Sequence, residues 1–414
     1  MGKCRRGSDR ERSGHGLDRQ VAPGFWRHWA ATGVAIAAVV AGLKLHAVPG
    51  RGRELSFTLL AGFAAGFVFQ RSQFCFASAF RDFFRTRERR VLIGLIAALV
   101  VGCAGYMIVF GARITEPSLY RPDTAHIGPL GWHLILGGLL FGFGMVVGGG
   151  CITGHLFRLG EGSAVAPVGL VGVFVGYMLA LAAWNPIFLN LVKSLRGVWL
   201  PEHVGYLAAF VVQIGILTFG AAYVLHYTPV PPIKPPIPAT DFVVGRRIFI
   251  ERWPSWVGGI LIGLIATFAY FRTSPLNVTE EIGRLARLSG HSVGIVPDRL
   301  HGLNEIKGCV SVANPDVVSA NAVFVLAFIG GALMSALLAG DFRPRWGTPG
   351  GMARALGGGV LVGFGAMISL GCTVGTLMSG IMAFSVSGWI FLAALAFGAW
   401  AGTRALGKPP DGRA

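Results

Sequence analysis

Three cysteines stand where a thiol could meet a small ligand. "GFGMVVGGGCITG" at 142–154 aligns without a gap on "GFGAMISLGCTVG" at 363–375, so Gly150, Cys151 and Gly154 fall on Gly371, Cys372 and Gly375. Both cysteines follow a complete apolar stretch and precede a segment too short to cross a bilayer. This spacing predicts a broken helix whose second, short part starts at the thiol. A helix start offers unpaired N–H donors and the positive end of the dipole, which bind anions. The same field makes a nearby thiol a better hydrogen-bond partner or nucleophile, and the flanking glycines let backbone approach a ligand closely. The third cysteine is Cys75 in "RSQFCFASAFRDFF", another short apolar element. "GFVFQRSQFCF" at 66–76 lies faintly over "TFAYFRTSPLN" at 267–277, with Arg71 on Arg272 and Cys75 on Leu276, so the second copy lacks that thiol.

The chemistry implied is recognition of a small anion that contains sulfur or a similarly soft atom. The predicted binding residues are Cys75, Cys151, Cys372, Gly150, Gly371, Gly154 and Gly375. Cys103, inside an apolar span, reads as a small packing residue, and Cys4 and Cys309 as dispensable. His155, Arg158 and Glu161 follow Cys151 and read as pairing or anchoring groups, with anion attraction by Arg158 as the lesser alternative. Arg71, at a span end, reads as a snorkelling topology marker. The six cysteines form no CxxC pair and no histidine stands at metal-ligand spacing, so neither a metal nor another cofactor is expected. There is no GxxxxGK[ST] for ATP.

Such a site needs a membrane around it, and the composition supplies one. Of the 414 residues 53% are hydrophobic and 13% charged, with 62 glycines and a positive mean hydropathy. Continuous apolar runs select helices over barrels. The expected fold is all-α and polytopic, with about ten transmembrane helices at 26–47, 54–70, 91–111, 131–149, 164–184, 204–226, 254–271, 315–339, 353–370 and 384–403. Four short re-entrant helices would complete it. The domains follow as a disordered basic tail (1–25), a first membrane repeat (26–226), a proline-rich linker (227–253), a second repeat (254–404) and a carboxy-terminal tail (405–414). Each half reads as five spans with two short interruptions, and an odd number inverts the second copy in the membrane. The net charge of +17 sits in short loops and tails. That is the mark of topology rather than of a nucleic-acid surface, and it favours the amino-terminal tail inside.

"RSQFCFASAFRD", "GFGMVVGGGCITGH" and "GFGAMISLGCTVG" together resemble the YeeE/YedE family of membrane sulfur-transport proteins, and the likeness extends from about residue 55 to 404. The resemblance implies a bacterial inner-membrane protein that is not an enzyme. It implies uptake of thiosulfate, drawn to a concave positive surface and passed between Cys75, Cys151 and Cys372 by S–H···S contacts. A separate soluble sulfur-carrier protein of the TusA type is the implied partner. Two alternatives carry their own expectations. A selenium-compound transporter of the same family would differ in substrate, and a membrane sulfurtransferase would form a cysteine persulfide. A thiol exchanger would need a resolving cysteine beside the attacking one.

Overall fold

The computed structural model describes residues 25–114, 116–122, 124–228, 245, 248–303 and 319–407. The tail up to residue 24, most of the linker, and Cys4 and Cys309 lie outside the described residues. Each expected span is a helix: α1 (Phe25–His46), α2 (Gly52–Ser72), α4 (Arg90–Arg113), α5 (Trp132–Val147), α7 (Val165–Ala182), α9 (Leu200–His226), α10 (Ser255–Arg272), α12 (Ala320–Ala339), α13 (Pro349–Ile368) and α15 (Val386–Ala405). Among the described residues nine helices are long and apolar enough to cross a membrane. The tenth expected span, α2, has 21 residues but carries Arg53, Glu54 and Arg71 near its ends, which lowers its hydropathy. The chain is a polytopic helical membrane protein.

Between the spans lie short helices: α3 (Phe76–Thr86), α6 (Ile152–Gly160), α8 (Trp184–Ile187), α11 (Glu280–Ser292) and α14, a π-helical turn Thr373–Ser379 continued by Gly380–Met382. At 1.5 Å per residue none of them can span 30 Å of hydrocarbon. The order span, short helix, span, span, short helix, span occurs twice, from α2 to α7 and from α10 to α15. The repeating unit therefore holds four spans rather than five, and α1 and α9 stand outside it.

The contacts between helices follow the same order. Helix α2 packs on α12 and α4 on α10, while α5 packs on α15 and α7 on α13; α5 and α13 meet each other. Exchanging the two copies turns each pair into another pair of the set. Small residues permit the approach, as in membrane bundles generally. A Cβ at Gly66 would strike the backbone of Phe328, and one at Gly331 the backbone of Phe63. Such contacts account for much of the glycine content. Helices α1 and α9 bury little of their length and present Leu43, Leu207 and Phe219 outward.

Candidate functional site

The short helices gather their starts at one place. Cys75, Cys151 and Cys372 are the N-cap residues of α3, α6 and α14, all in extended backbone, and all are almost fully buried. Of the three, Cys151 caps through its sulfur, in the place of the oxygen that usually caps a helix. The Gly154 amide donates to Cys151 Sγ at 3.4 Å. In looser geometry the amides of Val374 and Gly375 face Cys372 Sγ, and those of Ala77 and Ser78 face Cys75 Sγ.

Contacts between the starts link the thiols. The Cys75 and Cys151 side chains lie side by side, a Cβ at Gly154 standing 3.1 Å from Cys75 Sγ and 3.6 Å from Cys151 Sγ. Cys151 also engages the hydroxyl of Thr373, the residue after Cys372. Cys372 in turn engages the hydroxyl of Thr279, the N-cap residue of α11. All four starts thus belong to one contact chain.

Thr279 was not legible from the repeat comparison, which set Leu276 opposite Cys75. Arg71 precedes its cap residue by four positions and Arg272 by seven, so an ungapped comparison misses the match. The signal lay in "NVTEE", a small polar residue before two glutamates, which marks a helix start. Asn277 Oδ1 accepts from the amides of Thr279 and Glu280, closing that turn.

The predicted glycines serve space more than turning. A Cβ at Gly150 would stand 3.3 Å from His155 and Arg158, and one at Gly154 would stand 3.1 Å from Cys75 Sγ. A Cβ at Gly371 would overlap the Thr376 hydroxyl and lie 2.8 Å from His126 Nε2. Gly375 contributes its amide toward Cys372. The turns themselves are made one residue earlier, by Gly149 (φ 78°) and Leu370 (φ 58°), which correspond in the two copies. A leucine in the left-handed region is uncommon, and no feature of the sequence announces it.

Two groups of side chains flank the thiols. On one side Arg71 is fully buried, so it does not snorkel. It donates to Gln70 Oε1 and Ser335 Oγ, both at 3.0 Å, to the carbonyls of Phe249, Ile250 and Glu251, and to Asp341 Oδ2 at 2.9 Å. Glu161, at the end of α6, accepts from Gln73 Nε2 at 2.8 Å and Gln70 Nε2 at 3.2 Å. Arg158 donates to the Gly149 carbonyl, satisfying backbone at the break. On the other side a cavity of about 500 Å³ is lined in part by Arg113, Tyr120, Arg121, Thr124 and Tyr270. At its inner wall Tyr270 stacks on Tyr106, with ring centres 4.4 Å apart and planes within 14°. Beyond them, on α14, Thr376 Oγ1 lies 2.9 Å from His126 Nε2. Cys103 lies in α4 with its thiol 3.8 Å from the Ile381 carbonyl, away from the chain of starts. Among the described residues no His, Cys, Asp and Glu cluster could hold a metal.

Residues 71–401 match the family model described as sulphur transport. The chain is similar to the thiosulfate transporter TsuA of Escherichia coli K12, 29% identical over 83% of this chain and 92% of that protein. It is similar also to the thiosulfate transporter TsuA of Spirochaeta thermophila, 27% identical over 83% of this chain and 96% of the relative. A shorter stretch, 26% of this chain and 25% of the relative, is 34% identical to the probable transporter YedE of E. coli K12. With its match covering well over half of the sequence, the chain belongs to the sulphur transport family.

Proposed function

We propose that the chain takes up thiosulfate, or a closely related sulfur-containing anion, across the bacterial cytoplasmic membrane by a relay of thiols. The observation that carries this reading is the contact chain Cys75, Cys151, Thr373 next to Cys372, and Thr279, built from four short-helix starts in two copies of one element order. Each start carries unpaired N–H groups and the positive end of its dipole. Swapped helix pairs and a five-span displacement between copies support an inverted repeat, which brings such starts together near the bilayer midplane. The relatives named as thiosulfate transporters, each matched over most of its length, favour thiosulfate over a selenium compound. Weak successive contacts suit permeation, because a site must admit the ion and also release it. The cavity beside Arg113 and Arg121 is the entry from outside, and a TusA-like carrier collects the sulfur inside.

Cys151→Ala and Cys372→Ala should each abolish thiosulfate-dependent growth while the protein still reaches the membrane. Loss of the protein in both variants would assign packing roles instead. Cys151→Ser keeps the dipoles and removes the soft atom, so unchanged uptake would leave only a plain anion channel. Competition among labelled thiosulfate, sulfate and selenium oxyanions fixes the substrate.

One observation favours a second reading. Cys75 lies beside Cys151, which supplies in space the resolving partner that the sequence lacks as CxxC. A thiolate attacking the outer sulfur of thiosulfate would break the S–S bond, release sulfite and leave a persulfide. Mass spectrometry of Cys75 and Cys151 after thiosulfate exposure decides it, since a transporter leaves both thiols unmodified.

A further inference from the structure

Among the described residues, one cation at the thiols is paired with no carboxylate. Arg158 lies on the last turn of α6, half-buried. One of its terminal nitrogens donates to the Gly149 carbonyl, and the other, Nη2, stands 4.0 Å from Cys75 Sγ. Arg71, Arg81, Arg121 and Arg284 are matched by Asp341, Asp82, Glu202 and Glu281. No carboxylate among the described residues pairs with Arg158. Glu161 is close in sequence, but its Oε1 is engaged by Gln70 and Gln73. A partly desolvated guanidinium without a counter-ion is costly, and an arriving anion offsets the cost.

The second copy makes the charge conspicuous. Aligning α6 and α14 at Cys151 and Cys372 sets Thr376 where His155 stands and Ser379 where Arg158 stands. Thr376 and Ser379 are both buried. The contact chain is therefore lined by hydroxyls at one end and by a full positive charge at the other, although the two ends descend from one element order.

Resting on the thiosulfate reading, we infer that Arg158 holds the charge of the permeating anion at the Cys75 and Cys151 pair. The guanidinium presents parallel donors that suit the oxygens of a small oxyanion, while the thiols suit a terminal sulfur. The ligand class is a compact oxyanion with a soft end. Arg158 is thereby a specificity-determining residue, selecting charge where the cysteines select sulfur.

The test uses the full-length protein in proteoliposomes and two thiol reagents with the same reactive group, anionic sulfonatoethyl methanethiosulfonate and neutral methyl methanethiosulfonate. Labelling of Cys75 and Cys151 is followed by mass spectrometry. The ratio of anionic to neutral rates cancels changes in thiol reactivity that act on both reagents alike. Arg158→Gln is expected to lower that ratio about ten-fold, as loss of a focusing charge in a cleft does, and to raise the KM for labelled thiosulfate. Arg158→Lys should recover most of the ratio. Arg158→Met removes charge and donors at similar length, and the ratio must fall in whichever neutral variant inserts. An unchanged ratio in an inserted neutral variant that the neutral reagent still labels overturns the inference. The two readings fail differently. Absence of thiosulfate uptake by the unmodified protein sinks transport, whereas a flat ratio with uptake intact sinks only the role of Arg158.

Discussion

At the scale of single residues, the unusual choice is sulfur at a helix cap. A hydroxyl or carboxylate cap would accept strongly from the first amides and leave little for a ligand. A thiol accepts weakly, so the amide of Gly154 is held at 3.4 Å and the positive end of the helix stays available. Thr279 breaks the pattern by offering a hydroxyl in the fourth place, fully buried and touching Cys372. If that hydroxyl helps present Cys372 to the anion, Thr279→Val should lower thiosulfate uptake by about five-fold, matching the loss of one hydrogen bond of about 1 kcal/mol. Thr279→Ser should keep most of it. Uptake by the valine variant equal to that of the unmodified protein would leave the Thr279 hydroxyl only its turn contact with Asn277 Oδ1. Cys151 and Cys372 were legible in the sequence because cysteine is rare and the two stood in register beside glycine, and Cys75 because it stood in a short apolar element flanked by Arg71 and Arg81. Thr279 was hidden because three additional residues precede it and because threonine at a helix start has many other causes.

At the scale of elements, the site depends on short helices that cannot hold themselves in place. Nine residues of α6 make too few internal hydrogen bonds to be stable alone, so its exit is fastened to the other half. The amides of Arg343 and Arg345 donate to the carbonyls of Glu161 and Gly162. The exit of α14 is fastened in the same manner, Leu200 donating to Phe384 and Val386 to Val198. Glu161 adds a side-chain tie to Gln73, which lies two residues before Cys75 and takes a left-handed conformation (φ 51°). This tie fixes the spacing of the Cys75 and Cys151 starts from the far end of α6. Glu161→Ala should therefore reduce uptake by about ten-fold, in line with about 1.4 kcal/mol of lost positioning. Glu161→Gln keeps an acceptor for Gln73 and should stay near normal, and uptake assays on both variants at matched expression check this. The spans and the two breaks were legible from hydropathy and glycine spacing. The fastening was not, because the partners of Arg71 and Glu161 come from distant parts of the chain, such as Ser335, Asp341 and the 249–251 carbonyls.

At the scale of the whole molecule, the question is which end faces the cytoplasm, since an uptake route needs its anion-collecting cavity outside. The end that carries α3 and the 340–348 loop holds Arg81, Arg85, Arg87, Arg89, Arg90, Arg343 and Arg345. The opposite end also holds basic residues, Arg51, Arg53, Lys193, Arg196 and Arg272, with Arg113 and Arg121 around the cavity and Arg121 paired with Glu202. The arginine-dense α3 and 340–348 loops favour the cytoplasm for that end, and the uptake route proposed above requires α1 to enter from inside and the cavity to open outward. Thr86 and Leu119 are exposed at the two ends and outside the thiol chain, which makes them suitable reporters. In a background where the native cysteines outside the site are replaced, a membrane-impermeant thiol reagent should label Leu119→Cys on intact cells. Thr86→Cys should react only after the membrane is opened. The reverse pattern would place the cavity in the cytoplasm, and a route that collects its anion there would export rather than take up.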